Sequence, residues 1–174
     1  GNTLKMAWEN FRFLFNLDYV CFDSFEGLPE IKKIDQQIIW EKGKLKTSLK
    51  TFEQILKKIG IPKHKIRLVK GFFEKSLTKE LQETLLPKKA AVIYIDCDLY
   101  DSAKDVLEFC LPFFKEGTIL MFDDWNCFNG SPDKGERKAF NNFLSQNRHL
   151  NFEDFISTNE QKGFICVLNE HEKI

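Results

Sequence analysis

AAVIYIDCDLY, residues Ala90 to Tyr100, is an apolar run that ends in two carboxylates spaced i, i+2. Short apolar runs bounded by charge read as buried parallel strands, and α/β sheets place their sites in the loops beyond the carboxyl ends of such strands. A second run, Thr118 to Phe122, ends in Asp123 and Asp124, so neighbouring strands are expected to deliver four carboxylates to one sheet edge. Anions that close require a cation, and an oxygen-only ligand set favours a hard divalent ion such as Mg²⁺. The competing reading is local: Asp123 and Asp124 cap the next helix, while Asp96 and Asp98 are solvated loop residues. Two acidic pairs at two strand ends weigh against it.

Working outward, Leu4 to Phe15 has the apolar spacing of an amphipathic helix, with Asn2 or Thr3 as cap. Tyr19 to Phe22 is a short strand closed by Asp23. Glu30 to Lys46 lacks a clean period and reads as a mobile flap holding a short helix. Ser48 to Ile59 is a helix stopped by Gly60, Ile66 to Val69 a strand, and Phe73 to Leu86 a helix ended by Pro87. Helices from Ser102 to Phe114 and from Lys134 to Asn147 flank the Thr118 strand. Phe152 to Ser157 and Phe164 to Leu168 form a terminal antiparallel hairpin.

This alternation predicts an α/β fold, a doubly wound, mostly parallel, Rossmann-like sheet with a C-terminal antiparallel hairpin. Residues 1–174 read as a single domain. No strand precedes the first helix, although a doubly wound nucleotide site rests on a first strand and a Gly-rich turn. The domain is therefore expected to be N-terminally incomplete, with its first strand upstream.

Equal numbers of basic and acidic residues, 26 of each, give no electrostatic case for nucleic acid or an anionic membrane as partner. The 18 Phe supply material for a core. No apolar run approaches a membrane span and no secretory signal opens the chain, so a cytoplasmic protein is expected. The five scattered Cys read as reduced core residues. Cys97 has no neighbouring His in sequence to activate it.

Four motifs resemble the metal-dependent macrocin O-methyltransferase (TylF-like) group of class I S-adenosylmethionine (SAM) methyltransferases: FDSFEGLP at Phe22 to Pro29, LVKGFFEKSL at Leu68 to Leu77, IYIDCDLYDSAKDVLEF at Ile93 to Phe109, and GTILMFDDW at Gly117 to Trp125. KGERKAF, Lys134 to Phe140, is a looser match. The resemblance implies methylation of a hydroxyl on a sugar or glycosylated small molecule, with SAM as methyl donor and Mg²⁺ bound. It implies Asp96, Asp123 and Asp124 as metal ligands and Asp98 as general base. Asp23 is implied as acceptor from the SAM ribose, with Ser24 beside it, and Gly71 and Phe72 as the adenine wrap. Only the tail of the family's glycine motif is present, at Gly1. A homo-oligomer is also consistent with the family.

The residues themselves leave alternatives open. Asp96 as base with Asp98 as ligand is the swapped assignment. A DxD strand end followed by a DD strand end is also the pattern of haloacid dehalogenase-type phosphatases, although Tyr100 and the short stretch from Asp98 to Asp123 fit that class poorly. A non-catalytic remnant of the methyltransferase fold is the third reading. Trp40 and Trp125 read as packing residues or sugar-site walls. His64, His149 and His171 read as surface residues. The charged runs at Ile31 to Asp35 and Lys134 to Arg137 read as solvated faces, with Arg137 a candidate for a phosphate-bearing substrate. The flap, Ser24 to Thr47, is expected to help select the acceptor.

Overall fold

The computed structural model describes residues 2–37 and 40–168; Gly1 with its glycine-motif role, the flap residues Ile38 and Ile39, and His171 lie outside the described residues. The chain forms two compact units, one of Gly1–Ile31 and Ile38–Ser76, the other of Lys32–Gln37 and Leu77–Ile174.

In the first unit, α1 (Asn2–Phe11) stops short of the predicted Phe15, and Asn2 and Thr3 lie inside it rather than capping it. Leu14 and Phe15 both donate to the Phe11 carbonyl, a tightened last turn that leaves Phe13, Leu14 and Phe15 exposed. β1 (Tyr19–Asp23) follows. α2 (Leu49–Ile59) is capped by the Ser48 side chain, which accepts from the Thr51 amide, and closed by Gly60 at φ 74°. β2 (Ile66–Lys70) pairs in parallel with β1, Asp23 opposite Lys70, so Asp23 and Gly71 leave at the same end. The base of the flap is closed by two backbone bonds, Leu28 N–H to the Lys44 carbonyl and Gly43 N–H to the Leu28 carbonyl, each 2.9 Å. Gly27 (φ 84°) lies so near that a Cβ there would collide with the Lys44 carbonyl oxygen. α3 (Phe73–Ser76) is a single turn.

The predicted continuous helix to Leu86 is broken at Thr78, whose extended backbone and side-chain oxygen, accepting from the Leu81 amide, start α4 (Lys79–Leu85) afresh. In this second unit β3 (Val92–Ile95) is shorter than the apolar run that signalled it. α5 (Tyr100–Cys110), β4 (Ile119–Phe122), α6 (Gly135–Gln146), β5 (Leu150–Ser157) and β6 (Lys162–Leu168) complete it. The sheet order is β3-β4-β6-β5; β3 and β4 are parallel, and the hairpin strands join antiparallel, as the sequence pattern predicts. Leu120 and Phe122 alternate into the core, where α6 sends Ala139, Phe140 and Phe143. Phe140 stacks on Phe164 at 4.7 Å between centroids, and Trp125 packs against Phe122 and Phe164 at 5.2 Å. Trp125 is thus a packing residue. Lys32–Gln37 lies with this unit as a strap containing one 3₁₀ turn, Lys33–Asp35, the short helix expected in the flap.

Candidate active site

The parallel register sets the site. Ile95 pairs with Phe122, and the Asp123 amide donates to the Ile95 carbonyl at 2.9 Å, so Asp96 and Asp123 leave adjacent strands side by side. One oxygen from each of Asp96, Asp123 and Asp124 lies within 4.8 Å of the others. Opposite ligands of an octahedral Mg²⁺ are about 4.2 Å apart, so small side-chain adjustments bring the three onto one ion. Asp123 Oδ1 accepts from the Tyr94 hydroxyl and from Gln161 Nε2, which leaves its second oxygen for a cation. Asp124 Oδ2 is buried and finds no hydrogen-bond partner among the described residues. A buried carboxylate oxygen left that way is costly unless a cation meets it. The donor set and this orphaned oxygen fit a hard divalent ion.

Asp98 differs from these three in backbone, and its carboxyl lies in hydrogen-bond contact with that of Asp124. Its φ is 62°, and the Leu99 amide donates back to the Cys97 carbonyl at 2.6 Å, a three-residue γ-turn with Asp98 at its strained centre. Burial raises the Asp98 carboxyl far above the usual carboxylate range, and the charges of Asp124, Asp96 and Asp123 push it the same way. Asp124 is raised as well, by burial and then by Asp96. Cys97, between the two acids, has its thiol pushed well up by burial and by Glu136, which disfavours a thiolate.

Two further carboxylates organise the surroundings, and both fall in the runs that sequence reading assigned to solvent. Glu136 is fully buried; its Oε1 accepts from the Cys97 amide at 3.1 Å and its Oε2 from the Asp124 amide at 3.0 Å. The reason is α6 itself, since Glu136 lies on the same helical face as Phe140 and Phe143. Burial and the Asp124 charge raise its carboxyl, while the two amides oppose that shift. Asp35, 2 % exposed, accepts from the Tyr100 amide at 2.7 Å and the Gly135 amide at 3.0 Å, the first residues of α5 and α6. Arg137 is engaged locally, donating to the Gly130 carbonyl and lying over Trp125.

In the first unit, the sequence-predicted cofactor residues gather where β1 and β2 end. Asp23 Oδ1 accepts from the Phe25 amide at 2.6 Å, and its carbonyl accepts from the Gly71 amide at 3.0 Å. The Ser24 hydroxyl is committed to its own turn, donating to the Gly27 carbonyl and accepting from the Glu26 amide. Gly71 has φ 140°, and a Cβ there would press on Ser76 at 3.2 Å. Phe72 is half-buried beside it.

Comparison with known proteins agrees with this architecture. The profile of the macrocin-O-methyltransferase (TylF) family matches residues 15–152. The chain is 29% identical over 131 residues to the 8-demethyl-8-(2,3-dimethoxy-alpha-L-rhamnosyl)-tetracenomycin-C 4'-O-methyltransferase of Streptomyces olivaceus, covering 72% of this chain and 44% of that protein. It is 28% identical over 111 residues to the mycinamicin III 3''-O-methyltransferase of Micromonospora griseorubida, covering 59% of this chain and 42% of that one. The chain thus spans less than half the length of these relatives. Among solved structures, the O-methyltransferase NovP superposes with a TM-score of 0.70 at 16% identity, over 93% of this chain and 64% of that one. CalS11, a calicheamicin methyltransferase, gives 0.68 at 20% identity, over 94% of this chain and 66% of that one. With the family profile running from just beyond α1 into the terminal hairpin, across both units, this chain belongs to the macrocin O-methyltransferase family.

Proposed function

We propose that this chain carries the catalytic portion of a SAM-dependent O-methyltransferase whose acceptor is a hydroxyl of a sugar or glycosylated small molecule. Family membership supports methyl transfer, and the two relatives are named for the 4' and 3'' positions they methylate. The observation that carries the reading is the convergence of Asp96, Asp123 and Asp124 beside Asp98, with one buried Asp124 oxygen unpartnered.

In this reading Asp96, Asp123 and Asp124 hold Mg²⁺, which when bound supplies the positive charge that favours loss of the acceptor's hydroxyl proton. Asp98 takes that proton as the new C–O bond forms and the bond from methyl to sulfonium breaks, leaving S-adenosylhomocysteine and a methyl ether. Asp98 is not among the three residues whose oxygens converge, and this favours it over Asp96 for that role. Asp23 accepts from the ribose hydroxyls through the oxygen not used by Phe25. Gly71 and Phe72 flank the adenine, and the Ser24 turn holds Asp23 in place. The tie between Asp123, Tyr94 and Gln161 aims one ligand before any substrate arrives.

The test is calorimetric titration of the chain with SAM and with S-adenosylhomocysteine, with and without Mg²⁺, followed by transfer of radiolabelled methyl to deoxysugar glycosides. Saturable SAM binding and Mg²⁺-dependent label in the glycoside are expected. Mg²⁺ binding with no SAM binding would point to the non-catalytic remnant instead. The phosphatase reading has no support from the family match.

A further inference from the structure

Glu136 takes no part in the chemistry above, yet it is fully buried and both its oxygens are engaged. Its Oε1 holds the amide of Cys97, the residue between Asp96 and Asp98, and its Oε2 holds the amide of Asp124. The two amides belong to different loops, one after β3 and one after β4. The last backbone bond between the two strands is that of the Asp123 amide to the Ile95 carbonyl, so the ladder does not reach Cys97 and Asp124. A carboxylate is a rigid planar fork, and here it bridges them. Its own position is fixed by α6, whose next turns, through Ala139, Phe140 and Phe143, are locked in the core.

We propose that Glu136 is a positioning residue for the divalent-cation site, a clamp that sets the distance between the Asp96–Asp98 loop and Asp124. The inference rests on the metal reading of Asp96, Asp123 and Asp124. A role limited to satisfying two buried amides would affect stability alone, whereas a clamp on ligand spacing governs cation affinity as well.

The test uses Glu136→Gln. A carboxamide accepts on one side only and turns an NH₂ donor toward the other amide, so one half of the clamp opens with little change in volume. The probe is Mn²⁺, followed by its free-ion spin resonance signal, alongside hydrogen exchange at the Cys97 and Asp124 amides and thermal melting. Asp35→Asn is the comparator, since Asp35 is an equally buried acid that holds two helix-start amides rather than the loops between ligands. Glu136→Gln is expected to weaken Mn²⁺ binding by about 10- to 100-fold, as loss of a group supporting a ligand typically does. Exchange at one of the two amides should quicken. Asp35→Asn should lower the melting temperature and leave Mn²⁺ affinity unchanged. Should Glu136→Gln not fold, Glu136→Asp retracts the fork by one methylene and is expected to weaken Mn²⁺ binding in the same way. Wild-type affinity in the folded Glu136 variant, or an equal loss of affinity in Asp35→Asn, overturns the clamp. A wild-type chain that binds no Mn²⁺ overturns the metal reading, and this inference with it.

Discussion

Two sets of buried acids lie in the second unit, and they differ in what meets their oxygens. All four oxygens of Asp35 and Glu136 accept a backbone amide, from Tyr100, Gly135, Cys97 and Asp124. Asp98 and Asp124 are less buried, yet Asp124 keeps an orphaned oxygen and Asp98 sits at the centre of a strained turn. Depth therefore does not decide which acid is reactive. A carboxylate whose two oxygens each accept an amide is a structural part, and one with an oxygen left without a partner is available to a cation or a proton.

The largest effect expected of that contrast is at Asp98. Asp98→Asn should lower methyl transfer by about 10²- to 10⁴-fold, the usual contribution of a general base. The fold should not suffer, because Asn accepts positive φ more readily than most residues and is neutral, as the surroundings already push the Asp98 carboxyl to be. Melting at or above the wild-type temperature, with Mg²⁺ binding intact, is the expected pattern. Loss of Mg²⁺ binding along with the rate would instead make Asp98 a ligand and Asp96 the base.

Next comes the cation. Mg²⁺ at about 100 times its dissociation constant should stabilise the wild-type chain by about 2.7 kcal/mol. Asp124→Asn should abolish that increment and, without Mg²⁺, melt no lower than wild type, since it relieves repulsion among the acids. A variant that melts far lower without Mg²⁺ would place Asp124 among the structural acids.

Gly135 joins the two amide-bound acids, its amide holding Asp35 and its neighbour being Glu136, and it lies against the Asp98 backbone. Its φ is 53°, and a Cβ would lie 2.5 Å from the Phe128 ring and 2.9 Å from the Asp98 carbonyl oxygen. Gly135→Ala should cost roughly 2–3 kcal/mol in urea denaturation, from strain and displacement together. A loss below the cost of an ordinary surface change would mean that the start of α6 shifts freely and holds neither set in place.

Sequence patterns exposed one set of acids and hid the other. Asp96, Asp123 and Asp124 are legible because each ends or follows an apolar run, and the parallel register then carries them to one edge. The γ-turn at Asp98 has no signature, since a non-glycine residue at positive φ is set by its surroundings. Glu136 was legible in principle: it falls on the apolar stripe of Ala139, Phe140 and Phe143, where a solvated residue does not belong. Its place in a charged run concealed it. Asp35 was not legible, because its partners lie 65 and 100 residues further along the chain. The early end of α1 was hidden for the opposite reason, as the apolar period continues past Phe11 into residues that the structure leaves exposed.

Asp35 supplies the smallest effect and the finest test of the contrast. Burial raises its carboxyl above the ordinary value of 3.8, with Asp101 adding to the shift and the Gly135 and Tyr100 amides and Lys134 opposing it. The folded state therefore holds the Asp35 proton more tightly than the unfolded state does. Stability from this group is full below the unfolded value and is lost as pH rises through the higher folded value. Asp35→Asn cannot titrate and loses one of the two accepted bonds, at a cost of about 1–2 kcal/mol. The gap between wild type and variant, read from urea midpoints at a series of pH values, should be widest at the acid end and narrow as pH rises. A gap that widens instead would mean that the amides at the starts of α5 and α6 outweigh burial and hold Asp35 as a stabilised anion. Asp35 would then be charged at neutral pH, and the charge on Asp98 and Asp124 would have to be reckoned against a fixed negative neighbour.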